Sequence, residues 1–167
     1  GRCRLCVCAR FGAGHPQNPC MTELILLRHG ETEWNRELRF QGQVDVPLNA
    51  TGHAQAQRLA QRLAGEPIDH LVSSDLSRAR QTADPFARQV QASRGIGLAV
   101  DAALREQAFG RIDGMRVEDI KRDHADVWAG WTQFQSDYVV PDGESTRQFH
   151  TRVMAALWQL VASHPGR

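Results

Sequence analysis

The stretch LILLRHGETEWN, residues 24–35, decides the fold. Leu24 to Leu27 are four consecutive apolar residues, the pattern of a strand buried on both faces as in a parallel sheet. Arg28, His29 and Gly30 break the run, so ionisable groups stand at the carboxyl end of that strand. Downstream, Thr51 reads as the cap of a helix in which Ala56, Leu59, Ala60 and Leu63 recur on one face. Gly65, Glu66 and Pro67 stop it. Ile68 to Val72 reads as a second strand. A helix follows with Leu76, Ala79, Ala83, Phe86 and Val90 on one side, and Pro85 predicts a kink or break near Asp84. Ile96 to Val100 is a third, weaker strand. Strand, helix, strand, helix, strand is the pattern of an α/β fold with parallel strands and right-handed crossovers.

Beyond Leu104 the pattern is less regular. Helical stretches are expected near Val117–Asp123 and Asp126–Phe134, with Trp128, Trp131 and Phe134 on one side as core or pocket lining. Pro141-Asp142-Gly143 is a turn, and Ser145 with Gln148 forms a capping box that opens a strong amphipathic helix ending near His164.

Composition narrows the function classes. The 167 residues are 41% hydrophobic and 23% charged, with 20 basic against 19 acidic residues. Such a balance argues against a non-specific nucleic-acid binder. No apolar run approaches the roughly 20 residues of a membrane span. All four cysteines (Cys3, Cys6, Cys8 and Cys20) lie in the first twenty residues. That segment has neither helical nor strand period, and Arg10 cuts its apolar stretch too short for a signal peptide. A zinc site built from these cysteines and His15 matches no common finger spacing. Residues 1–20 therefore read as a disordered extension or upstream read-through, with the domain running over 21–167 from Met21. The absence of later cysteines suits a reducing cytoplasm.

Ligands of open α/β sheets bind outside the carboxyl ends of the strands. Those ends here carry Arg28-His29-Gly30, Ser73 to Arg78, and Leu104-Arg105-Glu106. Three loops thus gather guanidinium groups, an imidazole and a carboxylate. Guanidinium forks match phosphate oxygens, and imidazole can attack phosphorus. The chain has no P-loop, no Gly-x-Gly-x-x-Gly, no His-Glu-x-x-His and no aspartate cluster for magnesium.

Five blocks in order carry a family resemblance: LLRHGETEWN (26–35), QGQVDVPLNATG (41–52), SSDLSRARQTA (73–83), LREQAFG (104–110) and PDGES (141–145). Together they resemble the histidine phosphatase superfamily, in its phosphoglycerate mutase-like branch. The resemblance implies a three-layer α/β/α fold with a mostly parallel sheet. It implies that His29 is the nucleophile that takes up the phosphoryl group, and that Glu106 is the proton donor to the leaving oxygen. By the same resemblance Arg28 and Arg78 hold the phosphate oxygens and Asn35 contributes a polar contact. Gln41 and Gly42, with Gln43, lie in the loop at the substrate entrance. Neither metal nor cofactor is implied.

Family members carry a second histidine in a later strand, which lies beside the first strand inside the sheet. No such block is present, and His164, at a helix end, does not fit it. The expectation is a chain incomplete at its C-terminus, with the last strand or strands missing. Three functions follow from the resemblance. The first is a metal-independent phosphatase of small phosphorylated metabolites, acting without nucleic acid or membrane. The second is a phosphoglycerate mutase that returns the phosphate to substrate, and the third is an inactive fragment that only binds phosphate. Family mutases carry a longer, more basic insertion after the glutamate block. Here Arg111, Arg116, Lys121 and Arg122 are the only basic residues between Glu106 and Pro141, which favours the phosphatase. The sequence sets neither the individual substrate nor the oligomeric state.

Overall fold

The computed structural model describes residues 6–10 and 23–164. Their elements run β1 (Cys6–Arg10), β2 (Glu23–Leu27), α1 (Glu33–Arg36), α2 (Ala50–Leu63), β3 (His70–Ser73), α3 (Ser77–Arg94) and β4 (Leu98–Val100). They continue with α4 (Val117–Asp123), α5 (Ala125–Thr132) and α6 (Thr146–Ser163). Short 3-10 turns at Ala102–Leu104 and Gly110–Ile112 bridge β4 to α4.

The strands form one sheet in the order β2-β1-β3-β4. The β3–β4 pair is parallel, whereas β1 is antiparallel to both of its neighbours. Thus β2, β3 and β4 share a direction, as their sequence predicts, but two of the three pairings are antiparallel. That corrects the expectation of a mostly parallel sheet. The cause is β1, whose backbone pairs along all of β2, from Cys6 opposite Leu27 to Arg10 opposite Glu23. No strand period marks Cys6–Arg10, because a strand inserted between two others is held by backbone ladders that any residue can supply. The cysteine-rich metal reading needs Cys3, His15 and Cys20, which lie outside the described residues. So does most of the expected extension.

Helices cover both faces of the sheet. On one face Ala60 and Leu63 of α2 and Phe86, Ala87 and Val90 of α3 pack with Leu71. On the other, Val153, Ala156 and Leu157 of α6 pack on Val72 and Leu104. Leu71 and Val72 are successive residues of β3, and strand alternation sends them to opposite faces. A separate cluster of Ile112, Ile120, Val127 and Val140, backed by Phe40, Phe109, Trp128 and Trp131, holds the α4–α5 region together.

Two local expectations are corrected. The cap of α2 is Asn49, not Thr51: its side chain accepts from the Gly52 amide at 2.9 Å, while Thr51 already lies inside the helix. α3 passes through Pro85 as one helix from Ser77 to Arg94. Phe86 and Val90 are buried against the sheet, and that packing outweighs the backbone hydrogen bond which proline cannot make. The Ser145–Gln148 capping box of α6 is present as expected. Among the described residues no helix is long and apolar enough to cross a membrane.

Candidate active site

β2 ends at Leu27, and the chain leaves the sheet through Arg28, His29 and Gly30. The Gly30 amide donates to Thr82 Oγ1 at 2.9 Å, and the same hydroxyl donates to the Arg78 carbonyl at 2.7 Å. One threonine of α3 therefore locks the His29 turn to the first turn of that helix. Next along, the Glu31 amide donates to Gln55 Oε1 at 2.8 Å, and Asn49 Nδ2 donates to Glu31 Oε1 at 2.8 Å. Gly52 sits so close that a Cβ there would come within 2.1 Å of the Glu31 carbonyl oxygen. These contacts fasten the histidine turn to the start of α2.

The His29 ring is half-buried, with Nδ1 2.6 Å from the Gly30 carbonyl oxygen. Donation to that carbonyl assigns the proton to Nδ1 and the ring lone pair to Nε2.

Arg78 is the second residue of α3 and is 2% exposed. Leu76 offers α3 no side-chain cap. Asp45 supplies one from the loop before α2, accepting from the Ser77 amide at 2.6 Å and from its hydroxyl at 2.8 Å. Arg78 Nη2 donates to the Gly42 carbonyl at 2.7 Å and Nη1 to the Val44 carbonyl at 2.9 Å. A buried guanidinium thus shapes the 42–44 loop. Gly42 has φ +48, and a Cβ there would come within 1.8 Å of Asp113 Oδ1, so the loop requires glycine. Burial pushes the Asp113 carboxyl up to about 6.

Glu106 follows the 3-10 turn after β4. Its Oε1 accepts from the Gln107 amide at 2.9 Å, and its carbonyl accepts from Gln43 Nε2 at 3.2 Å. Arg152 of α6 reaches under this loop. Its Nη1 donates to the carbonyls of Ala103 at 2.8 Å and Arg105 at 3.1 Å, while the other side of its fork pairs with the Glu144 carboxylate. Glu144 Oε1 also accepts from the Ala108 amide at 3.0 Å. Arg105 forks onto Asp75, holds that carboxyl below its usual range, and joins this loop to the end of β3.

His29, Asn35, Gln41, Gly42, Arg78 and Glu106 converge on one cleft of about 310 Å³. His29, Arg78 and Glu106 also border a small cavity of about 20 Å³ beneath it, against Ser74 and Phe149. Asn35 reaches the cleft while closing the capping box of α1, its Oδ1 accepting from the Thr32 amide at 3.0 Å. Gln41 is buried, and its Oε1 accepts from the Thr32 hydroxyl at 2.9 Å. Arg28 is exposed and is not among the residues that line the cleft. His164 caps the end of α6 with its ring 3.5 Å from that of His70, away from the cleft-lining set.

Sequence reasoning missed Thr82, Asp113, Glu144 and Arg152. Thr82 stands four residues after Arg78 and Glu144 lies within PDGES, so both are inside quoted blocks. Nothing in the sequence marks Arg152 or Asp113.

An α/β sheet with a histidine, an arginine and a glutamate meeting where its strands end defines the class of protein by its site. The chain belongs to the histidine phosphatase superfamily (branch 1), whose family model matches residues 24–167. It is 38% identical over 137 residues to a probable phosphoglycerate mutase GpmB of Citrobacter koseri, covering 82% of this chain and 62% of that protein. The chain thus spans less than two-thirds of the length of that curated relative. Among solved structures it is similar to a mycobacterial glucosyl-3-phosphoglycerate phosphatase complexed with VO3. That match has a TM-score of 0.74 at 33% identity and covers 82% of this chain and 63% of the other. The protein TTHB049 of Thermus thermophilus matches with a TM-score of 0.60 at 37% identity, over 78% of this chain and 68% of its own.

Proposed function

We propose that the chain is a metal-independent phosphatase of small phosphomonoesters, working through a phosphohistidine on His29. The carrying observation is the convergence of His29, Arg78 and Glu106 on one cleft. Nε2, which carries the lone pair once Nδ1 donates to Gly30, attacks phosphorus as the ester P–O bond breaks. The departing alkoxide takes a proton from Glu106. In the second half-reaction Glu106 takes a proton from water as the oxygen attacks the phosphohistidine, releasing inorganic phosphate and restoring the imidazole. Charge spreads over the three equatorial oxygens in both steps, and Arg78, with Asn35 beside it, stabilises them. Arg28, adjacent to His29, is the second guanidinium that this reading assigns to the phosphate. Gln41 and Gly42 form the substrate entrance. The fold reading is correspondingly phosphoglycerate mutase-like, with three layers.

The names of the curated relatives favour a second reading, in which the phosphohistidine returns its phosphate to a phosphoglycerate. The scarcity of basic residues between Glu106 and Pro141 argues for water as the acceptor.

The test is hydrolysis of p-nitrophenyl phosphate with EDTA present, followed by base quenching and phosphorus NMR. Expected are turnover, an acid-labile phosphoramidate signal, and loss of both by about a thousandfold or more in His29→Ala. Hydrolysis that survives His29→Ala, or no turnover and no phosphoramidate at all, would overturn the proposal. Transfer to 3-phosphoglycerate in preference to water would establish the mutase instead.

A further inference from the structure

One wall of the cleft is not explained by phosphoryl chemistry. Leu38, Phe40, Phe109, Val117 and Trp131 line the cleft together with the polar residues. Three of these are aromatic and form a continuous arrangement of ring edges. Phe40 meets Phe109 at 5.0 Å and Trp131 at 5.1 Å, both edge-to-face. Such rings present fixed faces and edges on which a flat apolar body can stack.

Leu38 adds an independent observation. It is 68% exposed and adopts φ +54, a left-handed conformation that branched side chains avoid. Two backbone bonds hold it there: its amide donates to the Asn35 carbonyl at 3.3 Å, and its carbonyl accepts from the Val117 amide at 3.1 Å. A large apolar side chain kept in water at the rim of a cleft gives a ligand apolar surface to cover.

The cation on this side is already engaged. Arg39 pairs with Glu37, donates from Nη1 to the Gly114 carbonyl at 2.9 Å, and lies 5.9 Å from the Trp34 ring centre. A second anionic group on a substrate would have to compete with Glu37 for it.

We infer that the cleft selects monophosphate esters whose alcohol is flat and apolar, such as aryl phosphates, over esters carrying a second negative charge. This rests on the phosphatase reading and names the substrate class of that same site. Phosphonates test it without requiring turnover. Orthovanadate, methylphosphonate, 1-naphthylmethylphosphonate and phosphonoacetate are titrated against the protein by calorimetry. Binding of the naphthyl compound about tenfold tighter than methylphosphonate is expected, the size of one aromatic contact. Phosphonoacetate should gain nothing from its carboxylate. In Trp131→Ala the naphthyl-to-methyl ratio falls toward one. Leu38→Ser, at an exposed position whose loss leaves the core intact, lowers it about threefold. Equal binding of the naphthyl and methyl compounds, tighter binding of phosphonoacetate, or a ratio unmoved in both variants overturns this inference alone. Failure of vanadate and of every phosphonate to bind overturns the phosphatase reading and this inference with it.

Discussion

His29, Arg78 and Glu106, the polar wall of the cleft, are each pinned through backbone amides and carbonyls, whereas Phe40, Phe109 and Trp131, its apolar wall, meet through ring edges. The polar wall is assembled from three distant parts of the chain, and every part is held by a second residue that does not itself face the cleft. Thr82 holds the histidine turn, Asp45 the start of α3, and Arg152 the glutamate loop. The apolar wall belongs to one cluster and needs only size and shape. Phosphoryl chemistry demands particular atoms at fixed positions, and hydrogen bonds provide them. Stacking tolerates exchange among large apolar side chains.

The polar wall is itself divided, because His29 hangs from β2 while Arg78 and Glu106 follow the parallel pair β3–β4. Among the described residues, β1 is what joins β2 to that pair. Val7→Pro places proline in this inserted strand, opposite Leu26, and should remove a ladder hydrogen bond worth about 1 kcal/mol and leave its partner carbonyl unpaired. Thermal unfolding and phosphatase rate should fall together. An unchanged midpoint with unchanged activity would mean that the histidine wall stands without β1.

Thr82→Val keeps the shape of the side chain and removes the acceptor of the Gly30 amide. A buried donor left unsatisfied costs about 2 kcal/mol, and the misplaced His29 should lose about tenfold or more in kcat. Thr82→Ser should restore most of both. If valine is silent in kinetics and in denaturant unfolding, the threonine does not hold the turn.

A smaller effect is expected from Arg152→Met, which removes the guanidinium that lies over Phe149 and frees the Glu106 loop. A kcat loss of about tenfold with KM nearly constant would mark a positioning role for a side chain that never faces the cleft. A fall in stability with kcat intact would make Arg152 purely structural.

The same contrast decides what could be read in the sequence. The strands after which the site residues follow, the helices α2, α3 and α6, and the residues His29, Arg78 and Glu106 were legible. Buried strands carry apolar runs, and reactive atoms allow few residue types. The apolar wall was legible only as a cluster of Trp128, Trp131 and Phe134 with core or pocket lining as equal readings. Phe40, Leu38 and Phe109 join it from elsewhere in the chain through tertiary packing. β1 left no period because its identity lies in backbone ladders. Of the kink or break expected near Asp84, the break did not occur, since tertiary burial of Phe86 and Val90 outweighed a local preference. Arg152 escaped notice because it acts on carbonyls of a segment far away in sequence, where no spacing rule applies, and Asp113 because a carboxylate accepting from amides of its own irregular loop follows no period.

The smallest expected effect sharpens the comparison where the two walls meet. Asp113 sits against Gly42 on the polar side, and its Oδ1 accepts from the amide of Phe109 on the apolar side at 3.3 Å. Burial raises its carboxyl from 3.8 to about 6, against the opposing pull of the Phe109, Gly110 and Gln43 amides and of the Arg78 charge. A raised acid binds its proton more tightly in the folded chain than in the unfolded one. Its contribution to stability is therefore complete below about pH 4 and is lost as the pH rises through about 6. Asp113→Asn keeps an oxygen for the Phe109 amide and removes the titration. Relative to this variant, the native chain should lose stability between pH 4 and 7, so that asparagine is the more stable form at neutral pH. Urea unfolding of both across that range measures it. Parallel curves would show that the carboxyl is ionised throughout and that the junction of the walls is wetter than its packing indicates.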